Sequence, residues 1–189
     1  MIPYRPSFKI AFIGPPGVGK TTCIRALSDI APVDTDVAST DDLIYMKPTT
    51  TVAFDYGEMD LKDDGRLLLY GLPGQARFSY MYSIVREGLL GTIVLVDAAA
   101  PDGLEGFRET LDAYAVELRK GPCVVAVNKN SPSIKNTLLE CQRLMRTYRL
   151  TVPLLHVDIR QMTDMGLLFH LLFTQLQYGF EQDTLATRI

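Results

Sequence analysis

Residues 8–27 read FKIAFIGPPGVGKTTCIRAL. A short apolar run, Phe8–Ile13, enters a turn rich in glycine and proline, and a helix-forming stretch follows over Thr21–Ile30. The turn, Gly14-Pro15-Pro16-Gly17-Val18-Gly19-Lys20-Thr21, satisfies G-x-x-x-x-G-K-[ST] at every specified position. A strand before and a helix after supply the context that pattern needs. Each specified residue has a physical task. Glycines let the backbone wrap closely enough for its N–H groups to face phosphate oxygens, and the helix behind adds the positive end of its dipole. Lys20 is placed to reach the outer phosphates, and the Thr21 hydroxyl to ligate Mg2+. Gly14, Gly17, Val18, Gly19, Lys20 and Thr21 are therefore the expected phosphate-binding set. Thr22 is counted with them, although its place outside the motif reads more simply as helix.

Working outward, the chain alternates strand and helix. Ala31–Thr50 is polar, acidic and without period, and a loop that long in a compact domain is functional or disordered. Val52–Leu61 alternates apolar and polar residues, as a strand with one wetter face does. Asp64-Gly65 is a hairpin signal, so the next strand, Arg66–Tyr70, is expected antiparallel to it. Thr92–Asp97 and Pro122–Asn128 are continuous β-branched runs, as in buried parallel strands. Pro153–Val157 reads as a sixth strand. Helices are expected over Phe78–Leu90, Gly103–Lys120 with Gly121 as the stop, Ser133–Tyr148 and Thr163–Tyr178. The pattern predicts one α/β domain over residues 1–189, a P-loop NTPase. Its six-stranded sheet is mostly parallel, with one antiparallel edge pair and helices on both faces.

Composition narrows the function. The 189 residues are 47% hydrophobic and 22% charged, with net charge −3, as in a soluble globular protein. That balance excludes a general nucleic-acid binder, which needs a basic face. Cys23, Cys123 and Cys141 are scattered and odd in number, which points to reduced thiols. No signal peptide or lipidation signal is legible, and the apolar stretch Gly166–Phe180 is too short to span a bilayer. A cytoplasmic location follows as an expectation, with any membrane recruitment made through partners.

Four further segments decide among phosphate-loop proteins. Lys47-Pro48-Thr49-Thr50-Thr51-Val52-Ala53-Phe54 closes the long loop. Gly71-Leu72-Pro73-Gly74-Gln75 follows the next strand, Asn128-Lys129-Asn130-Ser131 ends the fifth, and Asp158-Ile159-Arg160 comes after the sixth. Their order and spacing resemble the Ras superfamily of small GTPases over nearly the whole chain, with an Arf-like first switch. The chain is most similar to the bacterial and archaeal Ras-like GTPases, the Mgl-type polarity switches that work with roadblock-domain partners. Pro73-Gly74-Gln75, with Gly88 and Gly91 downstream, carries that likeness.

The resemblance implies GTP/GDP and Mg2+ as ligands, and a monomer that meets a GTPase-activating partner, with a roadblock-domain protein as the candidate activator, and an effector protein. It implies that Thr51 binds Mg2+ beside Thr21 and that Gly74 donates its N–H to the γ-phosphate. Gln75 orients the attacking water, with Lys20 and Thr51 completing the catalytic set. Asn128, Lys129, Ser131, Asp158, Ile159 and Arg160 surround the base. Asn128 tethers the phosphate loop and the Ile159 N–H meets the base. Two positions depart from the pattern. Gly71 stands where many relatives carry a metal-associated aspartate, which weakens the metal site without abolishing it. Asp34, Asp36, Asp41 and Asp42 are available substitutes, and each also reads as part of a solvated acidic loop. Ser131 stands where a carboxylate reads guanine, which lowers discrimination against ATP. Arg77 and Arg86 are candidate arginine fingers or surface ion-pairing residues. His156 and His170 read as packing residues. Three functions compete: a slow GTP-hydrolysing switch, a nucleotide-holding platform with little hydrolysis, and a small-molecule kinase, for which no lid or acidic substrate pair is visible.

Overall fold

The computed structural model describes residues 5–31, 33–34 and 55–186. Strand β1 (Ser7–Gly14) runs into helix α1 (Lys20–Leu27), and a two-residue strand β2 (Val33–Asp34) follows. Next come β3 (Asp55–Asp60), β4 (Arg66–Pro73), α2 (Tyr80–Val85), β5 (Leu89–Asp97) and α3 (Gly103–Leu118). The chain continues through β6 (Cys123–Asn128), α4 (Ile134–Thr147), β7 (Leu154–Val157) and α5 (Met162–Ala186). All the strands join one sheet in the order β2-β3-β4-β1-β5-β6-β7. From β4 to β7 every pairing is parallel. β3 lies antiparallel to β4 and β2 antiparallel to β3. The six strands expected from the sequence are present, and β2 adds a short seventh at the antiparallel edge.

The two-residue period of β1 divides the core between the faces of the sheet. Ile10 and Phe12 pack with Cys23 and Ile24 of α1 and with Met165, Leu168 and Leu172 of α5. Ala11 and Ile13 pack with Met81 of α2, Phe107 and Leu111 of α3, and Cys141 and Met145 of α4. The central strands β5 and β6 are covered on both faces, which is why they read as unbroken apolar runs. All three cysteines are free and buried. Burial pushes each thiol up to about 12.

Several local expectations give way to tertiary structure. The helix expected over Phe78–Leu90 is a 3-10 turn, Ala76–Phe78, and the six-residue α2. Gly88, at φ +74°, turns the chain, and its carbonyl accepts the Lys9 N–H at 3.1 Å. Leu89 and Leu90 are thereby drawn into β5. The hairpin is wider than an Asp-Gly turn: a 3-10 turn, Lys62–Asp64, precedes Gly65 at φ +113°. Helix α3 ends at Leu118, and Gly121 is not left-handed. The Lys120 N–H bonds instead to the Glu117 carbonyl at 3.0 Å. His156 and His170 are exposed rather than packed. His156 lies on the edge strand β7, and His170 falls off the Met165, Leu168 and Leu172 stripe that faces the sheet. Helix α5 runs to Ala186, beyond the expected end at Tyr178. Among the described residues, no helix is long and apolar enough to cross a membrane.

Candidate functional site

The site gathers where β1, β3, β4, β6 and β7 meet their connecting loops, at the C-terminal ends of the parallel strands. Such crevices at strand ends are where open α/β sheets bind ligands. Gly17 and Gly19 take φ values of +74° and +116°, conformations that favour glycine. A Cβ on Gly19 would overlap Ile159 Cδ1, so the loop passes directly beneath the β7–α5 connection. Gly19 caps α1 with no side-chain hydrogen bond, which leaves the first-turn N–H groups for a phosphate. Lys20 Nζ donates to the carbonyls of Gly14 and Pro15, both at 2.9 Å. Burial lowers the Lys20 pKa below the ordinary lysine range, and the charge of Asp55 opposes that shift.

Asp55 is the functional candidate that the sequence reading missed. Register places it directly opposite Gly71, so the two side-chain positions share one face of the sheet. A Cβ on Gly71 would lie 2.7 Å from Asp55 Cβ and 2.9 Å from Asp55 Oδ2. The carboxylate of Asp55 occupies the space that a side chain at position 71 would need. An acid on the neighbouring strand thus stands against the position where the resemblance leads one to expect an aspartate. A two-residue Asp64-Gly65 turn would have set Glu58 opposite Gly71; the wider turn, in which Asp60 opposes Arg66, brings Asp55 there instead. Asp34 pairs with Asp55 along the backbone. Asp36, Asp41, Asp42 and Thr51 lie outside the described residues. Among the described residues, no trio of His, Cys, Asp or Glu forms a metal cage. Magnesium held by phosphate oxygens and one or two protein ligands does not require one.

Beyond β4, the Gly74 N–H donates to the Gly14 carbonyl at 2.9 Å, so this segment rests on the phosphate loop. A Cβ at Gly74 would overlap Thr110 Oγ1 and lie 3.1 Å from the Gly14 carbonyl carbon. Tyr114 donates its hydroxyl to the Pro73 carbonyl at 2.8 Å and fixes the approach. Gln75 Oε1 accepts Arg77 Nη2 at 3.0 Å, while the Arg77 guanidinium lies 4.7 Å from the centre of the Phe78 ring. Arg86 is exposed at the end of α2.

A cleft of about 370 Å³ adjoins the phosphate loop. Gly17, Gly19 and Thr22 form one wall, Asn128, Lys129 and Asn130 a second, and Asp158, Ile159 and Arg160 a third. Asn128 Nδ2 donates to the Val18 carbonyl at 2.8 Å, tying β6 to the loop. Lys129, at φ +67°, donates to the Gly17 carbonyl at 3.2 Å and pairs with buried Asp97. Asp97 Oδ1 accepts the N–H groups of Ala99 and Ala100 at 2.9 and 3.1 Å, so the Lys129 anchor is itself held. Ser131 stands outside the cleft wall, its Oγ 3.0 Å from Ser133 Oγ.

Residues 9–129 match the family model described as 50S ribosome-binding GTPase, well over half of the chain. The chain belongs to that GTPase family. This GTPase is 35% identical over 122 residues to an uncharacterised protein of Methanocaldococcus jannaschii, covering 64% of this chain and 69% of that protein. Its fold is similar to that of an ADP-ribosylation-factor-like GTP-binding protein, the small COPII coat GTPase Sar1 of Encephalitozoon cuniculi, solved in complex with GDP. The TM-score is 0.62 at 17% identity, over 94% of this chain and 83% of that one. Family and fold together make the chain a small GTP-binding protein.

Proposed function

We propose that this GTPase is a molecular switch that alternates between GTP and GDP and hydrolyses GTP slowly with Mg2+. The observation that carries this reading is the hydrogen bond from the Gly74 N–H to the Gly14 carbonyl. A terminal phosphate at the loop competes for the same donor. The segment after β4 therefore has two alternative partners, one internal and one supplied by the nucleotide. Switch proteins couple hydrolysis to a change of surface through such exchanges.

Lys20 carries the positive charge for the outer phosphates, and its present bonds to the Gly14 and Pro15 carbonyls hold it in the loop. Thr21 and Thr51 are the protein's metal hydroxyls in this reading, and Asp55 supplies the carboxylate absent at Gly71. Mg2+, when bound, neutralises charge on the phosphate oxygens. Gln75 orients the attacking water. In the arrangement described here its Oε1 is engaged by Arg77, which matches low intrinsic turnover. A partner that draws Arg77 away would free the amide, and a roadblock-domain protein is the partner class that the Mgl-type resemblance suggests. A monomer in the cytoplasm, recruited elsewhere through partners, completes the proposal.

Single-turnover GTP hydrolysis with Mg2+ tests it. The reading expects slow release of phosphate by the unaltered protein and a further fall of about 100-fold for Gln75→Ala, the scale of a lost positioning group. GTP binding with no turnover in either protein, with or without an activating partner, would identify a nucleotide-holding platform instead.

A further inference from the structure

We propose that Asp158 is the base-reading carboxylate of this GTPase, performing from the β7–α5 loop the task that the Asn-Lys-x-Asp pattern assigns to position 131. The inference rests on the nucleotide-binding reading above and adds how the base is chosen. Two observations point to it. Ser131 is turned toward the start of α4, where its Oγ lies 3.0 Å from Ser133 Oγ and accepts the Ser133 N–H at 3.3 Å. Among the described residues that wall the cleft, Asp158 is the only carboxylate.

The carboxylate is positioned from both ends. The Asp158 N–H donates to Asp164 Oδ2 at 2.8 Å, which fixes the main chain at the start of α5. Its Oδ1 accepts the Arg160 N–H at 3.1 Å and Arg160 Nε at 2.8 Å, and its Oδ2 accepts Arg160 Nη2 at 2.7 Å. These contacts hold the acid down at about 2, so it is ionised throughout the physiological range. The Asp158 side chain is 34% exposed and open to the cleft, while that of Arg160 is 76% exposed. An ion pair so exposed contributes little, and its Nη2 contact is readily exchanged for a ligand.

The chemistry selects guanine. An ionised carboxylate only accepts hydrogen bonds, and its two oxygens offer about four lone-pair positions. Guanine presents N1–H and its exocyclic amine side by side, two donors followed by the O6 acceptor. Adenine presents one donor and a ring nitrogen whose lone pair faces the carboxylate. Beside Asp158 lies the Ile159 N–H, held by only a long contact of 3.4 Å to Asn128 Oδ1. A carboxylate next to a main-chain N–H complements the guanine edge and opposes the adenine edge.

Equilibrium binding of GDP, ADP and XDP to the full chain tests the assignment. Xanthine carries a carbonyl where guanine has its amine, so an amide at position 158 pairs with xanthine. Asp158→Asn is expected to weaken GDP and strengthen XDP, each by about 10–100-fold, the range for hydrogen bonds to a charged group. Should Asp158→Asn not fold, the exchange Ser131→Asp with Asp158→Ser returns the carboxylate to the motif position and must keep GDP selectivity. Unchanged GDP binding in Asp158→Asn overturns this inference alone, as does equal loss of all three nucleotides with a lowered melting temperature. ADP binding as tight as GDP in the unaltered protein also overturns it and leaves the phosphate loop standing. No binding of any nucleotide ends both this inference and the proposed function.

Discussion

An aspartate at position 71, the residue that the wider Ras-superfamily pattern leads one to expect there, should damage this protein. The new Cβ would sit 2.7 Å from Asp55 Cβ, with Ile24 Cδ1 of α1 at 3.2 Å. Relief requires movement of β3 or α1, and overpacking of that kind costs about 1–3 kcal/mol. A second carboxylate beside Asp55 adds like-charge repulsion, moderated when one of the two takes up a proton. Together Gly71→Asp should cost about 2–4 kcal/mol, which for a chain of this size lowers the melting temperature by roughly 5–15 °C. The rescue is specific. Asp55→Gly opens the space, at about 0.5–1 kcal/mol for a strand glycine. The double variant should therefore melt within a few degrees of the unaltered protein, a coupling of about 2–3 kcal/mol. Magnesium provides the second readout. Asp55→Gly alone should weaken the Mg2+ dependence of GDP retention by about 10–100-fold, and the double variant should recover most of it. Thermal melts and Mg2+ titrations of GDP release measure both. Gly71→Asp melting like the unaltered protein, or simple additivity in the double variant, would refute the reasoning.

Two further outcomes follow from single contacts. Asn128→Ala removes the bond to the Val18 carbonyl at 2.8 Å, and a buried acceptor left unpaired costs about 1–3 kcal/mol. Thermal unfolding and GDP affinity should fall together in this variant, and a loss in only one of them would contradict the tether. Stability should also decline in alkali. Cys23, Cys123 and Cys141 have thiols raised to about 12 from an ordinary 9.0. Their stabilisation is complete below pH 9 and is lost between pH 9 and 12, as the unfolded thiols ionise first. Each adds a slope of up to about 1.4 kcal/mol per pH unit, measurable by urea unfolding across that range.

The parts of the molecule legible in the sequence are those fixed by local chemistry. The phosphate loop was readable because glycine, lysine and threonine have separate tasks at set spacing. The βα alternation was readable because β5 and β6 are buried on both faces and are apolar without a break over 93–96 and 123–127. What escaped depends on partners distant in sequence. Leu89 and Leu90 continue an apolar period from α2, yet Gly88 turns them into the sheet beside β1. His170 sits in an apolar run but off the stripe that faces the sheet, so composition concealed its exposure. Asp55 looked like one acid of an alternating strand. Only the hairpin register sets it against Gly71. Position 131 was readable as a departure from the pattern, and Asp158 as a residue beside the base through the resemblance, whereas the outward turn of Ser131 needed the fold.

The central claim is that the Gly74 N–H exchanges the Gly14 carbonyl for the outermost phosphate of a bound nucleotide. The amide NMR resonance of Gly74, compared between Mg2+-GDP and a non-hydrolysable GTP analogue, tests it most directly. The account predicts two distinct positions for that resonance, with the GDP form matching the nucleotide-free protein. A single position in all three states would contradict it.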